Sequence, residues 1–308
     1  MKVIAEIGSN VKSLEDCIHS IKMAKHFDAD AVKFQYFTSE DMFGIRGVCK
    51  NLLDKDDIPK LKEVADECGI EFLCTVFNPI TLKWLLSYVK TIKIASSDME
   101  HIDLLDVALE SGKEIYLSTG AHSQDEISSI LEHIGDTKKV TLFYCQAEYP
   151  TYRTDFRKLA MPPFSKYPRL GLSDHSKEIY VTPLMAKMYS MVALEKHVNF
   201  CGYTDTPDAP HSLSADEFDM MIRAIKGEQP TSFLSVGDEP MRLKHNRRLI
   251  VIKEMKAGDR FIYNDNFGAY RSIRDNVDGI SPIFYHKVDQ MYAKRNLSIG
   301  DAITLKDY

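Results

Sequence analysis

No stretch of this 308-residue sequence comes near the ~18 consecutive apolar residues that a membrane-spanning helix needs. The opening Met1-Lys2-Val3-Ile4-Ala5-Glu6 meets an acid too early for the apolar segment of a secretory signal. A basic excess is also missing. Lys and Arg total 39 against 45 Asp and Glu, a net −6, which argues against a nucleic-acid binder. The six cysteines (Cys17, Cys49, Cys68, Cys74, Cys145, Cys201) contain no C-x-x-C pair, so neither a zinc knuckle nor a redox dithiol is indicated. Reduced, mostly buried thiols are expected instead. These absences predict a cytoplasmic protein without nucleic-acid or membrane partners. At 44% hydrophobic and 27% charged, the composition excludes a mainly disordered chain, a collagen and a fibre.

Short β-rich runs alternate with amphipathic stretches over three quarters of the chain. The strands expected are Val3–Ile7, Ala31–Gln35, Glu71–Thr75, Thr91–Ala95, Glu114–Ser118, Val140–Tyr144, Arg169–Ser173 and Met191–Lys196. Between them, Leu14–His26, Ile58–Cys68, Ile102–Ser111 and Gln124–Ile134 carry apolar residues at helical spacing, and Ala215–Ile225 follows a capping-box pattern at Ser214 and Glu217. Repeated βα units demand parallel strands with right-handed crossovers, and eight in about 225 residues fit a (β/α)8 TIM barrel better than an open sheet. Pro150, Pro162, Pro163 and Pro168 weaken the sixth helix. The barrel is assigned to residues 1–228, a Pro- and Gly-bearing linker to 229–245, and a small, mainly β domain to 246–308. The tail repeats itself: Lys253 to Asp259 is echoed by Arg295 to Asp301, and Gly258 and Gly300 each precede an aspartate (Asp265, Asp307) by the same interval. Charge divides along the same line, −9 in residues 1–228 and +3 thereafter.

Catalytic groups of such a barrel gather where strands end and βα loops begin. Those ends read Glu6, Gly8, Ser9 and Asn10; Lys33 and Gln35; Lys93, Ser96 and Asp98; Ser118, Thr119 and Gly120; Tyr149; Ser173, Asp174 and His175; Glu195 and His197. A serine at such a place is, taken singly, a turn or cap residue. Lys33 and Lys93 are different, because each interrupts an apolar strand and therefore needs a polar cavity or a partner charge. Two lysines and three serines at one mouth can hold a phosphorylated anion. His175 and His197 end adjacent strands, and with a carboxylate such as Glu6 nearby they suit a divalent metal.

The motifs Ile4-Ala5-Glu6-Ile7-Gly8-Ser9-Asn10, Ala31-Val32-Lys33-Phe34-Gln35, Lys93-Ile94-Ala95-Ser96, Leu117-Ser118-Thr119-Gly120, Gly171-Leu172-Ser173-Asp174-His175, Leu194-Glu195-Lys196-His197 and Ser212-Leu213-Ser214-Ala215-Asp216-Glu217-Phe218 follow the order seen in sialic acid synthases. The tail resembles their C-terminal SAF (antifreeze-like) domain through Arg247-Arg248-Leu249, Lys253 to Gly258, Arg271-Ser272-Ile273-Arg274 and Gly279-Ile280-Ser281-Pro282. The resemblance implies condensation of phosphoenolpyruvate with a six-carbon amino-sugar aldehyde to a nine-carbon α-keto acid. Lys33, Lys93, Ser96, Ser118 and Ser173 would then hold phosphoenolpyruvate, and His175 and His197 a manganese or magnesium ion. Glu6 would orient or deprotonate the attacking water. Gln35, Asp98, Tyr149 and Arg274 would touch the sugar, Arg274 from the partner of a domain-swapped homodimer.

Three features depart from the family pattern, all on the sugar side. Val11 stands where the family has His, Ala147 replaces an Asn or Ser, and the segment from Thr38 to Asp57 is short and lacks an aromatic-rich stretch. Two other readings are a condensation on a different aldehyde or sugar phosphate, and a non-catalytic carbohydrate-binding protein on the same scaffold.

Overall fold

The computed structural model describes residues 1–48, 53–135, 138–152, 154–227, 246–272 and 278–308. The expected linker at 229–245 and the candidate Arg274 lie outside the described residues, as does part of the segment from Thr38 to Asp57. The chain divides into two compact units, Met1–Gly227 and Glu228–Tyr308.

The first unit is a closed (β/α)8 TIM barrel of eight parallel strands in sequential order. These are β1 (Lys2–Glu6), β2 (Ala31–Gln35), β3 (Glu71–Thr75), β4 (Thr91–Ile94), β5 (Glu114–Ser118), β6 (Val140–Cys145), β7 (Leu170–Asp174) and β8 (Ala193–His197). β1 pairs with β8 as well as β2, which closes the ring. Helices α1 (Leu14–His26), α2 (Ser39–Phe43), α3 (Asp57–Cys68), α4 (Pro79–Leu85), α5 (Ile102–Glu110), α6 (Gln124–Ile134), α7 (Val181–Tyr189) and α8 (Ala215–Lys226) connect them. The proline-bearing stretch after β6 forms only short 3-10 turns, Phe156–Ala160 and Phe164–Lys166, because proline removes the backbone donors a longer helix needs.

Side chains on a strand alternate between two faces, and that alternation builds the site. One set, including Val3, Ala5, Val32, Phe34, Phe72, Ile94, Leu117 and Leu194, packs under the helices as the main core. The other set faces the lumen. Its middle layer, Ile4, Ala31, Leu73, Tyr116, Phe143 and Ala193, is an apolar plug. Gly171 makes room for that plug: a Cβ there would lie 2.6 Å from the Phe143 ring. Below, Lys2 donates to Glu71 at 2.6 Å and Arg169 pairs with Glu114. Two residues above the plug, the same alternation delivers Glu6, Lys33, Thr75, Lys93, Ser118, Ser173 and Glu195 to the C-terminal mouth.

The second unit has its own apolar cluster, in which Leu249, Val251, Phe261, Phe267, Val288 and Ile303 are buried. β9 (Arg248–Val251) and β10 (Phe267–Tyr270) form an antiparallel pair. The repeated segments face each other: Met255 and Leu297 exchange both backbone hydrogen bonds, at 2.9 and 2.8 Å. Gly258 N–H donates to Ala293 O at 2.7 Å, and Gly300 N–H donates to Val251 O at 2.8 Å. Asp259 accepts from Lys256 N–H and Asp301 from Ser298 N–H, while Lys253 pairs with Asp265 and Arg295 with Asp307. Among the described residues, five cysteines are free thiols and no helix is long and apolar enough to cross a membrane.

Candidate active site

A cavity of about 320 Å³ opens at the C-terminal mouth of the barrel. Its wall includes Glu6, Lys33, Gln35, Lys93, Ser96, Ser118, Tyr149, Ser173, His175 and His197, so the structure brings all of these expected residues together. Asp98 is not part of that wall. It ends the 3-10 turn Ser96–Asp98, where it accepts from the Ser97 hydroxyl at 2.6 Å. Ala147 does line the cavity, whereas Val11 is buried in the apolar core.

The floor is a network of opposed buried charges. Lys33 Nζ lies 2.8 Å from Glu6 and 3.8 Å from Glu195. Lys93 Nζ donates to Ser118 Oγ at 2.7 Å and stands 3.9 Å from Glu195. Gln35 donates to Glu6 Oε1 and Ser173 Oγ to Glu195 Oε1, both at 2.8 Å. Burying such pairs seldom stabilises a fold over apolar packing, so their concentration here points to a function. Burial drives the Glu6 carboxyl up to about 7, with neighbouring Glu195 adding to the rise and Lys33 opposing it. Burial also pushes Glu195 upward, but Lys33 and Lys93 overcome it and hold this carboxylate below its usual range. Lys93 is shifted down because burial outweighs Glu195, whereas Glu195 and Glu6 together keep Lys33 raised against burial. The two carboxylates are therefore unlike: one stays ionised and the other exchanges its proton near neutrality.

Imidazoles stand beside this floor. His175 Nδ1 donates to Gln146 O at 2.8 Å, leaving Nε2 towards Ser173 Oγ at 3.2 Å. Its ring stacks on Tyr149 with centroids 4.2 Å apart and lies 5.6 Å from the His197 ring. His197 in turn faces His211 at 4.6 Å. The carboxylate beside these rings is Asp208, since Glu6 is turned to Lys33 and Gln35. Burial depresses all three histidines, His175 to about 4, which keeps them neutral as ligands must be. Buried His197 Nδ1 and His211 Nε2 have no hydrogen-bond partner, an unsatisfied state that a divalent ion would relieve. The residues present fit such an ion.

Two supports hold the mouth. Lys196, fully buried behind β8, donates to Asp174 Oδ2 at 2.8 Å and to Glu178 O at 3.2 Å, tying down the loop that carries His175. Asn10 accepts from Thr206 Oγ1 at 2.8 Å and donates to Ser212 Oγ at 2.7 Å, pinning the β8–α8 loop. Sequence reasoning reached Glu195 only as a strand-end residue and missed Thr75, Asp208 and His211. The available signal for the last two was an Asp-x-x-His spacing soon after β8.

The NeuB family model matches residues 45–231. Over 99% of this chain and 96% of the relative, the chain is 27% identical to the pseudaminic acid synthase of Campylobacter jejuni. It is 27% identical to the N,N'-diacetyllegionaminic acid synthase of Legionella pneumophila, over 85% of this chain and 83% of that one. A solved structure of N-acetylneuraminic acid synthetase from Leptospira borgpetersenii, in complex with citrate, superposes with a TM-score of 0.66 at 28% identity, covering 79% of this chain and 90% of that chain.

Proposed function

The chain belongs to the NeuB family, and from that premise we propose that it is a cytoplasmic sialic-acid-type synthase, joining phosphoenolpyruvate to a six-carbon amino-sugar aldehyde and releasing phosphate. One observation carries the reading: two lysines, two glutamates and four serines, the three expected ones with Ser97, converge on a single cavity beside a group of neutral imidazoles. Lys33 and Lys93 supply the charge for phosphoenolpyruvate, and Ser96, Ser118 and Ser173 the directional hydroxyl donors. His175 and His197 would hold a manganese or magnesium ion, which when bound polarises the aldehyde oxygen as a Lewis acid.

Carbon–carbon bond formation uses the enol electrons: C3 of phosphoenolpyruvate attacks the aldehyde carbon, whose oxygen becomes a hydroxyl. Water then adds at C2. Glu6 is placed to orient that water and take its proton, which its near-neutral carboxyl suits. The tetrahedral intermediate loses phosphate as its new hydroxyl becomes the C2 carbonyl, giving a nine-carbon α-keto acid. Gln35 and Tyr149 contact the sugar or the intermediate. Residues 246–308 form the SAF domain in this reading, with Arg274 reaching the acceptor in the partner's barrel of a swapped homodimer.

Phosphate release from phosphoenolpyruvate, measured with manganese against N-acetylmannosamine, mannose and 2,4-diacetamido-trideoxyhexoses, tests the proposal. Release should depend on one amino sugar and stop with chelator. Absence of both release and phosphoenolpyruvate binding would overturn it.

A further inference from the structure

We infer that the second unit holds a site for a small oxyanion, a phosphate or a carboxylate, on the guanidinium of Arg248. Arg248 opens β9 and is only 4% exposed. Its Nη1 donates to Arg247 O at 3.0 Å, but its Nε and Nη2 are buried and have no hydrogen-bond partner. Guanidinium groups do not shed their proton in proteins, so burial is not relieved in that way. A buried cation without a partner charge is among the costliest arrangements a fold can hold. An anion is what completes it.

The two unpartnered atoms are not an arbitrary pair. Nε–H and Nη2–H lie on one edge of the planar group and point the same way, a fork that grips two oxygens of a carboxylate or phosphate. Other arginines of this protein use that edge so. Arg157 sends Nε and Nη2 to the two carboxylate oxygens of Asp155 at 2.8 and 3.2 Å. Arg223 sends the same two atoms to Asp219 at 3.0 and 2.9 Å. Those arginines stand in solvent, where such a pair is worth little. The buried fork of Arg248 lacks its acid.

The surroundings fix the side chain and add positive charge. A Cβ on Gly279 would lie 3.4 Å from Arg248 Cβ, so the stem is closely packed while the head is unsatisfied. Arg248 faces Tyr270 across the ladder, which places exposed Arg247 and Arg271 at the same end of the two strands. Arg247 donates to a backbone acceptor, Ala269 O, at 2.8 Å. Bulk water does not reach the fork, so its occupant is small and enters as the ladder end opens. Arg248 and Tyr270 are the last paired residues there, where opening is easiest.

The inference needs no reaction, so binding to the full chain tests it separately from the proposed function. With isotope-labelled arginine, the Nε–H magnetic resonance signal of Arg248 is identified by its loss in Arg248→Lys. It is then followed in separate titrations with inorganic phosphate and acetate. A saturable shift is expected, and it should persist in Lys93→Ala, where the barrel's own anion contacts are weakened. The stronger titrant names the oxyanion. Crystals of the native chain grown in that titrant give a second reading that needs no variant to fold: its oxygens should lie within hydrogen-bond reach of Arg248 Nε and Nη2. No shift with either anion, a shift that disappears in Lys93→Ala, or an anion found at the barrel mouth alone would refute the assignment.

Discussion

Glu6 shows how position alone changes the chemistry of a carboxyl, and the proposed reaction gives that change a use. It is fully buried beside a lysine and a second carboxylate, and the balance leaves it titrating near neutrality. Only the carboxylate form can take a proton from water. Turnover should therefore rise with pH through about 7 and then level, and Glu6→Gln should remove that limb and lower kcat by about 10²-fold or more. A flat profile in the native protein, measured as kcat against pH, would leave Glu6 without the role. The lysines at this scale are legible in sequence, because an ammonium inside Ala31-Val32-Lys33-Phe34 or Thr91-Ile92-Lys93-Ile94 needs a reason to be there. Asp208 and His211 are not legible in the same way. They sit on an irregular loop where Asp and Pro read as turn residues, and only the barrel's closure carries them back to His197.

Elements are legible to the extent that their pattern is local. The limits of α1, α6, β2, β3 and β5 coincide with those expected, because amphipathic spacing and short β-branched runs declare themselves without tertiary help. Elsewhere the ends move by a residue or two, as in β8, which runs on to His197 because its pairing with β1 continues to Glu6. Entry into α8 is set by a complete capping box: Ser214 Oγ accepts from Glu217 N–H, and the Glu217 carboxylate accepts from Ser214 N–H at 2.8 Å. That cap fixes where the loop bearing His211 ends. Ser214→Ala should cost about 1 kcal/mol in urea unfolding. An unchanged midpoint and slope would show that tertiary packing alone seats the helix.

At the scale of the whole molecule, each unit carries its own apolar cluster, and every residue of the cavity and of the imidazole group lies in the first. A polypeptide of residues 1–227 should melt cooperatively and bind manganese as the full chain does, yet lose sugar-dependent phosphate release if Arg274 supplies an acceptor contact. Calorimetry and the release assay check the two halves of that expectation, and full turnover by the fragment would remove Arg274 from the reaction. The second unit, meanwhile, carries a record of its own making. Each of its two hooked segments offers the other the bonds that it receives in return, the reciprocity that otherwise belongs to the contact between two identical molecules. Duplication of one short gene, with the copies tied end to end, is the simplest ancestry for such a handshake.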